Sequence, residues 1–294
     1  MRSLLFVPGD RPERFAKAAA SGADAVIFDL EDAVTAERRP EARVAIAEWL
    51  ASAERAVPLW VRINPVESPD ALADLAAVIA GRPDGIVLPK ARDGADVHRV
   101  HHWLESLETS CGFQPGSIRL MPLITESAGA LLKAASFTAL PARVAGLTWG
   151  AEDLAADLGA ARNRTPDGEY EFTYALARSF CLLAAAAAGV PAFDTVDTEF
   201  RDAAAVERRA RDSRRQGFTG KLAIHPAQVA PIHAAFSPTA DEIAWAERVL
   251  AVFRAAPGVG AVAFEGGMLD KPHVRQAERI LAAAGRGRAG EAAS

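Results

Sequence analysis

Short apolar runs rich in β-branched and aromatic residues alternate along the chain with longer stretches whose apolar positions recur every three to four residues. The short runs fall at 3–7, 25–29, 59–63, 85–89, 118–123 and 144–149, with weaker ones at 192–193 and 221–224. The longer stretches, such as 11–21, 36–51, 70–80 and 94–108, carry alanine-rich apolar faces opposite charged ones, the period of amphipathic helices. Strand followed by helix, repeated, predicts a parallel sheet, and runs that are apolar at successive positions predict strands covered on both faces. Eight such units predict a (β/α)8 TIM barrel over 1–235, with an open doubly wound sheet as the competing arrangement.

Two segments stand outside the repeat. The polar stretch 158–170, with Arg162, Asn163, Arg164, Thr165, Pro166, Asp167 and Gly168, is placed where a barrel carries a substrate-facing insertion. Residues 236–294 form a C-terminal extension, expected to pack on the barrel or on a neighbouring subunit. It comprises a helix at 240–255, an apolar strand at 261–264, a Gly266-Gly267 turn, a last helix at 272–284 and a tail at 285–294 expected to fray.

Composition narrows the classes of function. The 294-residue chain is half apolar and carries a formal charge of -5, with its Arg and Lys residues scattered among acids, so nucleic acid is not an expected partner. Its two cysteines, Cys111 and Cys181, have no metal or disulfide spacing, which points to a reducing cytoplasm. The apolar run before Pro8-Gly9 is too short for a signal peptide, and 181–190 is about half a membrane span. A soluble protein with no membrane partner is expected.

In a barrel, residues just past the strand ends share one rim, so charges there converge on one ligand although they lie far apart in sequence. Arg62, Glu126 and Asp153 each follow such a run. Two carboxylates from neighbouring strand ends suit Mg²⁺, with Mn²⁺ as the alternative ion, and a guanidinium beside them suits a carboxylate substrate. Each residue also has a plainer reading: Glu126 and Asp153 as helix-entry charges, Arg62 in a surface ion pair. Asp29-Leu30-Glu31-Asp32 closes the second run, offering a partner for Arg62 or acceptors behind the metal. Lys90 ends the fourth run, where a lysine can form a Schiff base; nearby acids would keep it protonated, so a charge partner for Asp29 or Glu126 is the preferred reading. His98, His101 and His102 share a helix at metal-compatible spacing but fall in mid-helix, as solvated surface. No nucleophile elbow, HExxH, P-loop or GxGxxG pattern is present.

The motifs Arg2-Ser3-Leu4-Leu5-Phe6-Val7-Pro8-Gly9, Asp29-Leu30-Glu31-Asp32-Ala33-Val34, Val61-Arg62-Ile63-Asn64, Leu88-Pro89-Lys90, Ile124-Thr125-Glu126-Ser127, Gly150-Ala151-Glu152-Asp153-Leu154, Ile224-His225-Pro226 and 264–273 run in one order. In them the chain resembles the HpcH/HpaI aldolase and citrate lyase β-subunit superfamily, in its citrate lyase β-subunit-like branch, almost end to end. That resemblance implies a homo-oligomeric (β/α)8 barrel, trimer or hexamer, with Mg²⁺ on Glu126 and Asp153 and Arg62 on the carboxylate of a 2-oxo or 2-hydroxy acid. It implies reversible carbon–carbon cleavage of a citryl, malyl or citramalyl thioester, yielding oxaloacetate or another 2-oxo acid. Asp270 matches an acid that reaches a neighbour's site and moves a proton at the thioester carbon, and Asp29 is grouped with Arg62 and Asp270 as catalytic. The N–H groups of Gly150, Ala151 and Glu152 are expected on the substrate carboxylate, Glu31, Asp32 and Lys90 behind the metal, and Arg11, Arg14 and Lys17 on coenzyme A phosphates. An acyl carrier protein and a citrate lyase α subunit are the partners of the complex form. A class I aldolase using Lys90, and a scaffold subunit, are the competing functions.

Overall fold

In the computed structural model the chain is described at residues 1–52 and 55–291, with side chains to 285. Eight parallel strands run in the order β6-β5-β4-β3-β2-β1-β8-β7: β1 (Ser3–Pro8), β2 (Ala25–Asp29), β3 (Leu59–Arg62), β4 (Gly85–Leu88), β5 (Arg119–Ile124), β6 (Thr148–Trp149), β7 (Phe193–Asp194) and β8 (Gly220–Ala223). A parallel bridge from Leu147 to Ala192 joins β6 to β7, with Leu147 N–H on Pro191 O at 2.9 Å and Phe193 N–H on Leu147 O at 2.8 Å. That bridge closes the sheet into the barrel and removes the open-sheet alternative.

The helices lie between the strands in chain order: α1 (Phe15–Ala19), α2 (Arg39–Ser52), α3 (Asp70–Val78), α4 (Gly94–Ser110), α5 (Ala128–Leu132), α6 (Ala151–Asp157), α7 (Phe172–Ala188), α8 (Ala203–Gln216) and α9 (Val229–Phe236). Helix entries follow local chemistry. The side chains of Asp93, Ser127 and Asp202 accept the N–H groups of Ala95, Ala130 and Ala205, satisfying donors that the first turn leaves free. The first predicted helix is instead a 3₁₀ turn at Pro12–Arg14 followed by a five-residue α1, because Pro12 starts it with fixed φ and no N–H.

Residue alternation along the strands sets the barrel interior. Leu4, Ile27, Trp60, Val87, Met121, Phe193 and Leu222 point inward and pack into one cluster. Carrying the same period one step further puts Phe6, Asp29 and Arg62 inside the mouth, so three chemically unlike side chains inherit a shared position from strand register.

The chain divides into two compact units, Met1–His233 and Ala234–Ser294. The second contains α10 (Ala240–Ala255), β9 (Ala261–Phe264), β10 (Gly267–Asp270) and α11 (Lys271–Glu291), around Ala246, Val249, Leu269 and Ala277. Thr239 and Glu242 form a capping box at the start of α10. Where a turn alone was expected after β9, Gly266 at φ +83° closes a hairpin onto β10. The tail expected to fray is helical as far as Glu291, and 292–294 lie outside the described residues. No helix among the described residues is long and apolar enough to cross a membrane.

Candidate active site

Arg62, at the end of β3, is fixed by the acids that close β2. Its Nε and Nη2 each donate to Asp29 at 2.7 Å, a fork-to-carboxylate pair, and its guanidinium stacks 4.7 Å over the Phe6 ring. Asp29 also accepts from Glu31 N–H and Ala33 N–H, at 3.0 and 3.1 Å, so its acceptor capacity is spent on holding the loop and Arg62. The surface-pair reading of Arg62 gives way to a buried one. Glu31 Oε2 lies 2.9 Å from Arg62 Nη1 but out of line for a hydrogen bond, leaving a buried oxygen without a donor. Burial pushes the Glu31 carboxyl up to about 7, against the opposing charges of Arg62 and Lys90.

Glu126 follows β5 by a sharp reversal. Thr125 adopts φ +60°, rare for a β-branched residue, and Ser127 supplies the cap of α5. The capping alternative thus belongs to Ser127, and Glu126 is released into the interior at 3% exposure. Its Oε2 accepts the backbone N–H of Lys90 at 2.5 Å, which a second left-handed residue, Lys90 at φ +51°, turns toward it. Burial, then the charges of Asp153 and Glu31, hold the Glu126 carboxyl well above the usual range.

Asp153 stands in the first turn of α6, whose entry residue Gly150 gives no side-chain cap. A Cβ at Gly150 would lie 2.5 Å from Glu126 Oε1, so the glycine is what lets this helix start so close to the carboxylate. The Glu152 side chain turns away to accept from Asn163 Nδ2 at 2.9 Å, leaving its backbone N–H as its contribution to the rim.

The expected pairing of Lys90 with Asp29 or Glu126 is corrected. Its Nζ contacts Glu31 at 2.5 Å, Asp32 at 3.0 Å and Asp153 at 3.1 Å, and it meets Glu126 through the main chain alone. Although burial acts to lower it, the hydrogen bond and charge of Glu31 lift the Lys90 ammonium above its ordinary value. A cation so held is a poor Schiff-base nucleophile.

Glu126, Asp153 and Lys90 line a cavity of about 470 Å³ together with Glu67, Arg92, Asp96, Ser127 and Asp157. Arg92, two residues past Lys90, grips Asp96 with Nε and Nη2 and contacts Glu67. Its place after β4 follows the same strand-exit rule that singles out Lys90, and it was missed because a charged residue in a loop looks solvated. A larger cavity, about 640 Å³, runs along α8, but most of its arginines are already matched by Asp194, Asp197, Glu207 and Asp212. The smaller one is the candidate site, because the carboxylates of Glu126 and Asp153 both line it. A buried Glu126 carboxyl, raised by burial and then by the neighbouring charge of the part-exposed Asp153, has the donor chemistry that suits a hard divalent cation, and the Gly150 cradle leaves room at Glu126 Oε1.

Arg11, Arg14 and Lys17 are exposed on the connection after β1. Asp270, last residue of β10, is exposed and bonded to His273 Nδ1 at 2.7 Å within the second unit. On α4, His101 Nδ1 accepts from Arg143 Nε at 2.9 Å, which places the proton of the neutral ring on Nε2, the nitrogen facing Glu105.

A model of the HpcH/HpaI aldolase/citrate lyase family matches residues 2–226. A citrate lyase subunit beta-like protein of Mycobacterium tuberculosis (strain H37Rv) is 39% identical over 290 residues, spanning 99% of this chain and 96% of its own. Citrate lyase subunit beta of Leuconostoc mesenteroides subsp. cremoris is 34% identical over 283 residues, spanning 95% and 92%. A crystal structure of the Mycobacterium tuberculosis protein CitE in complex with magnesium, acetoacetate and coenzyme A superposes with a TM-score of 0.81 at 38% identity, covering 97% of this chain and 98% of that one.

Proposed function

Because the chain belongs to the HpcH/HpaI aldolase/citrate lyase family, we propose that it is a Mg²⁺-dependent carbon–carbon lyase acting on a 2-hydroxy-acid acyl thioester of citryl, malyl or citramalyl type. Cleavage gives oxaloacetate or another 2-oxo acid and a shorter acyl thioester; the reverse direction joins them. The observation that carries this reading is the buried Glu126 carboxylate beside Asp153 in one cavity, next to a guanidinium locked by Asp29. The solved relative bound to magnesium, acetoacetate and coenzyme A supports the same ion, an oxo acid and a coenzyme A moiety as ligands.

Glu126 and Asp153 hold Mg²⁺, or Mn²⁺ in its place. The bound ion supplies a Lewis acid that steadies negative charge on the oxygen of the 2-oxo acid. Arg62, with two of its five N–H groups spent on Asp29, offers the rest to the acid's carboxylate in a fixed orientation. The N–H groups of Gly150, Ala151 and Glu152, at the positive end of α6, hold the far oxygen of that carboxylate. The 2-hydroxyl gives up its proton to water as its oxygen becomes the carbonyl of the 2-oxo acid, the electron pair of the breaking carbon–carbon bond passes to the thioester α-carbon, and Asp270 of a neighbouring subunit delivers a proton there. Asp29 acts by positioning Arg62, and Arg11, Arg14 and Lys17 meet the phosphates of coenzyme A. The chain works as a homo-oligomer in the cytoplasm, and a citrate lyase α subunit with its acyl carrier protein is the alternative setting. The three carboxylates around Lys90 favour the metal reading over the Schiff-base one.

The test is turnover of malyl-, citramalyl- and citryl-coenzyme A with Mg²⁺ and with excess EDTA, on the wild type and Glu126→Ala. One thioester is expected to be cleaved, and both EDTA and the substitution are expected to abolish the cleavage. Cleavage that survives both would remove the metal from the reaction. Borohydride trapping at Lys90 would replace this reading by the aldolase one.

A further inference from the structure

We propose that the Lys90 ammonium sets how tightly Glu126 and Asp153 take a divalent cation, by sharing Asp153 with it; this rests on the metal site of the reading above. Lys90 Nζ lies 3.1 Å from Asp153 Oδ1, so one carboxylate of the pair is already in contact with a cation that the chain itself supplies. Glu31 and Asp32 hold the same nitrogen at 2.5 and 3.0 Å. Three carboxylates from two separate strand exits hold the ammonium, where a lone surface lysine would have no such partners.

Lys90 divides its work between main chain and side chain. Its N–H orients Glu126, and its ammonium addresses Asp153. Removing the charge while keeping the backbone therefore leaves Glu126 where it is. Methionine at this position accepts φ +51° no worse than lysine does, which makes the two roles separable by substitution.

Around the site the acids Asp29, Glu31, Asp32, Glu67, Asp96, Glu126, Asp153 and Asp157 outnumber the cations Arg62, Lys90 and Arg92. The excess of negative charge attracts a divalent ion, and the fixed Lys90 charge beside the ligands repels it. The two together hold affinity below what the carboxylates alone would give, so that the ion is exchangeable rather than permanently bound. A purely structural Lys90, bracing Asp153, predicts the opposite: its loss would loosen a ligand and weaken binding.

Calorimetric titration of MgCl₂ at constant ionic strength, without substrate, separates these cases on the wild type, Lys90→Met, Lys90→Arg and Glu126→Gln. Lys90→Met is expected to bind Mg²⁺ about tenfold more tightly, the scale of one unit charge removed a few ångströms from a divalent ion at high effective dielectric. Lys90→Arg, which keeps the charge, is expected to stay near the wild type, and Glu126→Gln to lose binding. Unchanged or weaker binding by Lys90→Met overturns the proposal while leaving the metal site standing. Absence of binding by the wild type overturns the metal site and the proposal together. If Lys90→Met does not fold, Lys90→Gln is titrated in its place, with the rise in Tm caused by MgCl₂, larger in the variant than in the wild type, as the second readout.

Discussion

Glu126 is a carboxylate that its surroundings both desolvate and aim. Its burial raises the carboxyl, Asp153 and Glu31 raise it further, and the Lys90 N–H and the charge of Arg62 draw it back. In its ionised form such a group needs a cation beside it, and its position depends on a residue with no side chain: a Cβ at Gly150 would sit 2.5 Å from Oε1 and 3.0 Å from Cγ. Gly150→Ala is therefore expected to push Glu126 off its place and cost about tenfold to a hundredfold in Mg²⁺ affinity, the range for altered support of a ligand. The rest of the barrel does not depend on that contact, so Tm in EDTA should move by only a few degrees. Calorimetry and a melt on the same sample check both halves. Wild-type affinity in this variant would mean that Glu126 has room the geometry denies it. Strand exits were legible in the sequence because a charge after an apolar run has few other places to go. The partners were not: whether Lys90 meets Asp153 or Asp29 depends on two left-handed residues, Lys90 and Thr125, in positions that no local pattern announces.

At the scale of elements, β7 is held to α7 and α8 by one buried acid. Asp194 accepts from Trp149 Nε1 at 2.7 Å, Arg178 Nη2 at 2.9 Å and Ser213 Oγ at 2.5 Å, and lies 3.5 Å from Lys221 Nζ. Burial would raise its carboxyl, but the charges of Lys221 and Arg178 outweigh burial and hold it well below the ordinary 3.8. A folded-state value below the unfolded one means stability that is complete above the unfolded value and is lost as pH falls through it toward the folded one. Asp194→Asn leaves the buried Arg178 and Lys221 to longer contacts with Asp212 and Asp197, at 3.4 and 4.0 Å, and is expected to cost roughly 3 kcal/mol at neutral pH. It should also flatten the loss of Tm below about pH 4. Urea melts at neutral pH, together with Tm followed from pH 7 to pH 3, test this. An unchanged acid limb would show that other carboxylates govern it. The strands themselves were readable within a residue or two wherever apolar character was continuous, as in β2. Residues 144–149 read as one strand because Val144 and Leu147 are apolar, yet each makes only an isolated bridge, to Leu120 and Ala192, and β6 is two residues long. β10 was hidden because Gly267 and Asp270 flank only two apolar residues. The Asp194 network was hidden because buried charges and surface charges look alike in sequence.

For the whole molecule, the open question is where the proton donor comes from. The proposed metal ligands and Arg62 belong to Met1–His233, while Asp270 belongs to the second unit, at the junction of β10 and α11, exposed and tethered to His273. An exposed acid with one local partner is suited to act on something delivered to it, and the proposed reaction needs an acid at the thioester carbon. Asp270→Asn should then retain Mg²⁺ and 2-oxo-acid binding and lose turnover, while Glu126→Gln should lose Mg²⁺ binding and, with it, turnover. If each site is completed by a neighbouring subunit, the two inactive variants have complementary defects: a mixed oligomer contains sites with an intact metal pair from one chain and an intact Asp270 from the other. Co-expression with two different affinity tags and sequential purification isolates such mixtures, and they should regain a measurable share of wild-type turnover that neither variant shows alone. If the mixtures stay inactive although mass analysis shows both chains present, Asp270 serves its own chain or none, and the neighbour-supplied acid is wrong. If Asp270→Asn alone keeps full turnover, the proton reaches the thioester carbon by another route, and the cavity acids Glu67 and Asp96 become the next candidates.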